Sequence, residues 1–325
     1  MRIGILVALV MLVFCCACSV RENSGVDSTA VVKVEVDNAT AIKNGAIQEV
    51  VDETSGREAT NLEIKEAEPV KEVEEVVVYE NIAEQKSGSR TLRWSPKPGL
   101  RWHWQLSGDL VVEKGIDVYD VDLFETDSLL IEKLHQDGAR VICYFSAGSI
   151  EDWRDDASKV SPEFVGKELE GWPGEKWLDV SRIDAIAPLL LSRLDLAAAK
   201  GCDGVEPDNV DGFEQDTEFV LAYADQIEFN RWLAGMAHER NLAVGLKNDL
   251  EQVGDLVHNF DFAVNEECFE QNNCEDLVAF VRLGKAVFGA EYTLEPAAFC
   301  SRALAMNFSW IRAEYDLDRA TVACG

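Results

Sequence analysis

The chain is poor in histidine and in positive charge. Its four histidines, His103, His135, His238 and His258, are scattered without ligand spacing, and no CxxC pair is present, which argues against a His/Cys metal centre. Lys and Arg number 30 against 60 Asp and Glu, for a formal net charge of −30. That imbalance disfavours nucleic-acid backbones and anionic lipid surfaces as partners and suits a cationic ligand. No glycine-rich phosphate turn follows the first predicted strand, where WQLSGDL (104–110) stands, so the main signature of a dinucleotide-binding open sheet is missing. The longest apolar run is IGILVALVMLVFCCA (3–17), behind Arg2. It is too short for a comfortable transmembrane helix and reads as the apolar region of an export signal.

The signal ends in FCCAC, with Ala17 directly before Cys18, in the manner of a bacterial lipoprotein cleavage site; Cys15 stands three residues before Cys18 where Leu is usual. The expectation is an exported protein, lipidated on Cys18 at the cell envelope or secreted if cleavage falls elsewhere. Residues 19–90 contain no Trp and one aromatic, Tyr79, and carry repetitive charged stretches such as EIKEAEPVKEVEEVVVYE. They read as an acidic, low-complexity tether. The predicted organisation is a signal peptide over 1–18, the linker over 19–90 and a folded domain over 91–325, with a monomer expected.

Outside the signal six cysteines remain: Cys143, Cys202, Cys268, Cys274, Cys300 and Cys324. An even count in an exported chain points to disulfides. Six cysteines permit many connectivities. The favoured set is Cys268–Cys274 as a loop staple, Cys300–Cys324 at the C-terminus and Cys143–Cys202 between neighbouring strands.

All eight Trp lie beyond residue 91. There, strand-like runs at 102–106, 117–124, 140–146, 176–180, 204–208, 243–249, 260–266 and 285–292 alternate with helical patterns, the clearest at 128–138, 183–201, 217–241 and 276–284. Eight strands, each followed by a helix or long loop, predict an α/β fold of the (β/α)8 TIM-barrel type. In that fold the C-terminal strand ends form one mouth. Here those ends carry Asp120, Asp122, Tyr144, Asp179, Glu206, Asp208, Lys247, Asn248, Glu266 and Tyr292, with Asn209 and Asp211 just beyond.

Paired carboxyls at such a mouth suit glycosidic-bond hydrolysis, one protonating the leaving oxygen and one meeting the sugar carbon or its water. Alternation places Asp208 two residues beyond Glu206 on the same strand face, nearer the rim. Glu206 is read as a buried partner of Lys247. Asn209 and Asn248 offer hydrogen bonds to sugar hydroxyls or carboxylates. Trp102, Trp104, Tyr144, Trp153, Trp172 and Tyr292 offer flat faces for sugar rings.

The segments VICYFSAGSIEDWR (141–154), GWPGEKWLDV (171–180), GCDGVEPDNVDGF (201–213), QIEFNRWLAGMAHERNLAVGLKND (226–249), FDFAVNEECF (260–269) and AVFGAEY (286–292) resemble glycoside hydrolase family 114, the endo-α-1,4-polygalactosaminidases. The resemblance spans essentially residues 91–325. It implies a (β/α)8 barrel, hydrolysis of α-1,4-linked galactosamine polymers and a catalytic pair at Asp208 and Glu266. Glu267 stands where family members often carry Gln, which leaves the Glu266 match intact. A de-N-acetylated galactosamine polymer is polycationic, so Asp120, Asp122, Asp179 and Asp211 are candidates for pairing with its amino groups. The expected mechanism is retaining, with Asp208 the favoured nucleophile and Glu266 the acid/base, an order the residues alone leave open. No cofactor is expected. Two competing readings are a non-catalytic, lectin-like surface lipoprotein and a hydrolase in which Asp120, Asp122, Asp208 and Asp211 hold Mg²⁺ or Ca²⁺.

Overall fold

A computed structural model describes residues 93–319 and 321–325. The export signal, Cys18 and the acidic linker lie outside the described residues. The strands are β1 (Trp102–Gln105), β2 (Val118–Asp122), β3 (Arg140–Ser146), β4 (Ser149–Glu151), β5 (Val165–Glu168), β6 (Glu175–Leu178), β7 (Gly204–Asp208), β8 (Ala243–Lys247), β9 (Phe262–Glu266), β10 (Val287–Glu291), β11 (Ser309–Arg312) and β12 (Val322–Ala323). The main sheet runs β1-β2-β3-β7-β8-β9-β10-β11-β12, parallel throughout except that β12 pairs antiparallel with β11. Its first eight members are the staves of a nearly closed TIM-type barrel.

The alternation of each strand decides which side chains enter the barrel. Trp102, Val118, Ile142, Ala243, Phe262, Phe288 and Ile311 form one buried cluster inside it. Val141, Phe145, Val205, Val244 and Leu246, from the opposite strand faces, join Leu190, Leu194, Phe229 and Leu233 in a second cluster. These helical residues come from α2 (Ile183–Lys200) and α3 (Tyr223–Glu239), while α1 (Ser128–Gln136) contributes Ile131 and Leu134. Gly201 ends α2 in the left-handed region, at φ 90°, a conformation open to glycine at little cost. Inside the barrel, Gly245 makes room for an aromatic ring: a Cβ there would lie 2.4 Å from Phe262 Cε2.

Two strand assignments differ from the sequence reading. Residues 176–180 supply no stave; Glu175–Leu178 belongs to a separate three-stranded antiparallel sheet, ordered β4-β6-β5. Parallel neighbours need a crossover connection, usually a helix, and residues 147–175 contain no α-helix. The eighth stave is instead Ser309–Arg312, a four-residue strand. At the mouth, the backbone N–H groups of Leu106 and Ser107 donate to Leu317 O at 2.9 and 3.3 Å, joining the exit of β1 to the segment after β11.

Three disulfides, Cys143–Cys202, Cys268–Cys274 and Cys300–Cys324, match the favoured connectivity. The first ties the middle of β3 to the approach to β7, beside the strand that carries Asp208.

Candidate active site

Two adjoining basins occupy the barrel mouth. The first, about 560 Å³, holds Trp104, Tyr144, Asp208, Asn209, Lys247, Asn248, Glu266 and Tyr292 on its floor and walls. Residues of the small antiparallel sheet and its turns, among them Leu169, Trp172, Glu175 and Trp177, complete one side. Strand register explains the convergence: Tyr144 stands opposite Glu206 and Ser146 opposite Asp208, so two-residue steps stack the inward groups of β3 and β7 in levels.

At the centre is Lys247, 2% exposed. Its Nζ lies 3.0 Å from Asp208 Oδ1, 3.2 Å from Glu266 Oε2 and 3.2 Å from Glu206 Oε1. Burial alone would lower the ammonium pKa, but the charges of Asp208, Glu266 and Glu206 outweigh it and hold the group well above its ordinary value. The ring of Trp104 lies beneath, 5.2 Å from Nζ to its centroid.

Each flanking carboxyl has further donors. Asp208 accepts from Tyr144 Oη at 3.0 Å and from the Asn209 backbone N–H at 2.7 Å. Glu266 accepts from Asn248 Nδ2 at 3.2 Å and from the Tyr292 hydroxyl. Burial and the facing carboxylates push both phenols well above their usual range, so each stays protonated and donates. Asn209 sits at φ 59°, and a Cβ on Gly148 would fall 1.6 Å from its carbonyl oxygen; the β3–β4 turn therefore packs against the backbone directly after Asp208.

The mouth thus brings together Tyr144, Asp208, Asn209, Asp211, Lys247, Asn248, Glu266 and Tyr292. It does not include the other three aspartates expected to meet substrate. Asp120 is fully buried, and no hydrogen-bond donor reaches either of its oxygens. Burial and the neighbouring Glu206 carboxyl push Asp120 well above the carboxylate range, while burial, offset in part by Lys247, pushes Glu206 up to about 7. Asp122 is committed to Arg154 Nη2 at 2.6 Å and to the backbone N–H groups of Phe124 and Glu125. Asp179 accepts from the hydroxyl of Ser181 in a turn away from the basin. The four aspartates weighed as a cation site consequently do not converge. Among the aromatic candidates, Trp102 is core and Trp153 lies outside the cleft, whereas Trp104, Tyr144, Trp172 and Tyr292 line it.

Glu175 and Tyr315 also line the basin and are not among the residues the sequence pattern points to. Glu175 accepts from Asn209 Nδ2 at 3.1 Å and from the Ser149 hydroxyl; burial, the largest influence, raises it to about 7. Its signal lay in GWPGEKW, but counting that segment as a stave hid its place above the mouth. Tyr315 stacks on Trp172, ring centroids 5.8 Å apart, and meets Tyr292 edge-on at 5.4 Å. It follows the eighth stave, so missing that strand also hid Tyr315.

A carboxyl pair at the C-terminal mouth of a (β/α)8 barrel, in a cleft edged by aromatic rings, defines a glycoside hydrolase. Residues 83–325 match the model of glycoside-hydrolase family GH114, and the chain belongs to that family. It is similar to Aspergillus fumigatus Ega3, whose crystal structure is a complex with galactosamine: 38% identity, a TM-score of 0.69, and coverage of 72% of this chain and 98% of that one. The glycoside hydrolase domain of PelA from Pseudomonas aeruginosa shares the fold at 15% identity and a TM-score of 0.55, covering 70% of this chain and 98% of its own. An uncharacterized protein of Deinococcus radiodurans is 28% identical over 244 residues, covering 64% of this chain and 79% of that protein.

Proposed function

We propose that this glycoside hydrolase cleaves α-1,4-linked galactosamine-containing polysaccharide, acting within the chain and with retention of anomeric configuration. The observation that carries the reading is the bridging of Asp208 and Glu266 by a single buried ammonium. Lys247 holds one oxygen of each, so these two oxygens lie no farther apart than the two ion-pair distances laid end to end. That limit, set on one oxygen of each carboxyl, accommodates the roughly 5–5.5 Å of retaining pairs.

In the first step, an Asp208 oxygen forms a bond to the anomeric carbon as its bond to the leaving oxygen breaks, and the Glu266 proton passes to that oxygen. In the second, Glu266 takes a proton from water, the water oxygen bonds to the same carbon, and Asp208 is released. Tyr144, the Asn209 backbone N–H and Lys247 hold Asp208 in place by donating to it. The 27% exposure of the Glu266 side chain suits exchange of its proton with incoming water. Asp211, Asn209, Asn248 and the Trp172–Tyr315 rings are the proposed substrate contacts. Acidity of the mouth and the Ega3 complex with galactosamine support a cationic amino sugar as ligand.

Export is part of the same proposal, with Cys18 as anchor and residues 19–90 as tether; three disulfides suit an oxidising compartment. Among the described residues, no helix is long and apolar enough to cross a membrane. Mass spectrometry of products from defined galactosamine oligomers tests the function, with NMR of the first-formed anomer testing retention. Internal cuts and an α-anomer are expected. Cleavage surviving in Asp208→Asn would remove that residue from the chemistry.

A further inference from the structure

Below the bridging ammonium lies a second pair of acids, Asp120 on β2 and Glu206 on β7, both 0% exposed. At the level of Asp120, strand register places Ile142 on β3 and Gly204 on β7. Gly204 has no side chain, so the nearest inward side chain on β7 is that of Glu206, one two-residue step higher. The two carboxyls are hydrogen-bonded to each other. No other donor reaches any of their four oxygens in hydrogen-bond geometry; Lys247 Nζ stands 3.2 Å from Glu206 Oε1 as an ionic contact. The other charged groups facing Asp120 are Asp208 and Lys247, while β1 and β3 present Trp104, Ile142 and Tyr144 beside it.

Two buried carboxyls in contact cannot both ionise, because each would lie in a low dielectric against a like charge. One proton between them turns that repulsion into a hydrogen bond. The surroundings say which group keeps it. Glu206 touches an ammonium, whereas Asp120 has no ion-pair partner among the described residues. Burial, the largest influence, and the Glu206 charge hold Asp120 well above the carboxylate range, in accord with a retained proton.

We propose that Asp120 is a positioning residue for the hydrolysis: its proton, donated to Glu206, sets the pair at one negative charge and keeps Lys247 balanced between Asp208 and Glu266. This deepens the proposed function and rests on its catalytic pair. In the first step Asp208 loses its charge to the anomeric carbon as Glu266 gains one by giving up its proton. The charge beside Lys247 then stays constant, provided that the acids beneath neither gain nor lose a proton. A second negative charge below would draw the ammonium down, away from the two reacting carboxyls.

Infrared difference spectra and pH–rate profiles test the proposal. At pH 8 the spectrum of wild type minus Asp120→Asn should contain the carbonyl band of a protonated carboxylic acid; carboxylate bands alone would overturn the proposal. Asp120→Ala removes the donor to Glu206, while the amide of Asp120→Asn replaces it. In Asp120→Ala, kcat per folded molecule should fall about tenfold with KM little changed. Its acid limb should also move to higher pH, because Glu206 loses the hydrogen bond that lowers it. Asp120→Asn should restore most of the rate and leave the limb in place. Equal losses in the two variants, or an unmoved limb in Asp120→Ala, would overturn the proposal and leave the hydrolase reading intact. The infrared band is read without substrate, so a wild type that shows it but cleaves no galactosamine oligomer would overturn the reaction and not the buried proton.

Discussion

The lower and upper halves of the barrel interior are built by the same strands, on the same inward face, and share almost no chemistry. Below are Trp102, Val118, Ile142, Ala243, Phe262 and Phe288, all buried and apolar. Two or four residues farther along the first five of those strands stand Trp104, Asp120, Tyr144, Lys247 and Glu266, with Glu206 on β7 between Tyr144 and Lys247. The period of two carries each strand from packing to chemistry without a change of direction. The lower half gains by excluding water. The upper half keeps charge out of water only because each ion has an answering group, as Lys247 has three.

If that division holds, substitutions at the two levels separate activity from stability. The largest effect is expected at the rim. Asp208→Asn and Glu266→Gln should each lower kcat on the order of 10⁴-fold while thermal unfolding stays within a few degrees of wild type. A variant that loses activity only in proportion to its folded fraction would break the comparison.

Phe262→Ala applies the opposite test below. Its ring packs against Phe288, centroids 5.8 Å apart, and fills the space opened by Gly245. Removing it should cost about 3–5 kcal/mol of stability, read by denaturant unfolding, with kcat per folded molecule close to wild type.

Lys247→Met lies at the boundary and should affect both halves. Methionine removes the ammonium and leaves Glu206, Asp208 and Glu266 to repel or take up protons. A stability loss approaching about 3–5 kcal/mol is expected, together with a shift of the pH–rate profile toward higher pH as the carboxyls lose their cation. An unchanged profile would show that Lys247 does not position or charge the pair.

Much of this division was legible in the sequence. The helical stretch ending at Gly201 and running into GVEPD gave β7, its helix and the inward pairing of Glu206 with Asp208. The Lys247–Glu206 partnership was read from inward facing residues alone. What stayed hidden depended on which strands close the barrel. KWLDV alternates as a stave does, and alternation does not distinguish a parallel barrel strand from an antiparallel hairpin above it. SWIR is too short to stand out beside longer apolar runs. Those two exchanges concealed Glu175 and Tyr315. Asp120, Asp122 and Asp179 failed as substrate contacts because polarity near a strand end says nothing of depth: one lies below the mouth, one is answered by Arg154, and one closes a turn.

The smallest effect concerns the buried acids at the mouth. Asp211 is raised to about 6, Glu175 and Glu206 to about 7 and Asp249 to about 9, with burial the largest cause in each. In the unfolded chain such carboxyls lose their protons near pH 4. Between that value and their folded values the folded protein binds more protons, so stability falls as pH rises. The contribution is complete below about pH 4 and is lost in turn as pH passes about 6, 7 and 9. For the ligand-free protein, the melting temperature should therefore decline from pH 5 to pH 9, by several degrees. Asp249→Asn removes the highest of these groups from the titration and should flatten the decline between pH 7 and pH 9, leaving the portion below pH 7. An equally steep upper limb in that variant would place the proton elsewhere. A melting temperature that climbs through the window would mean that these acids are already ionised in the folded protein.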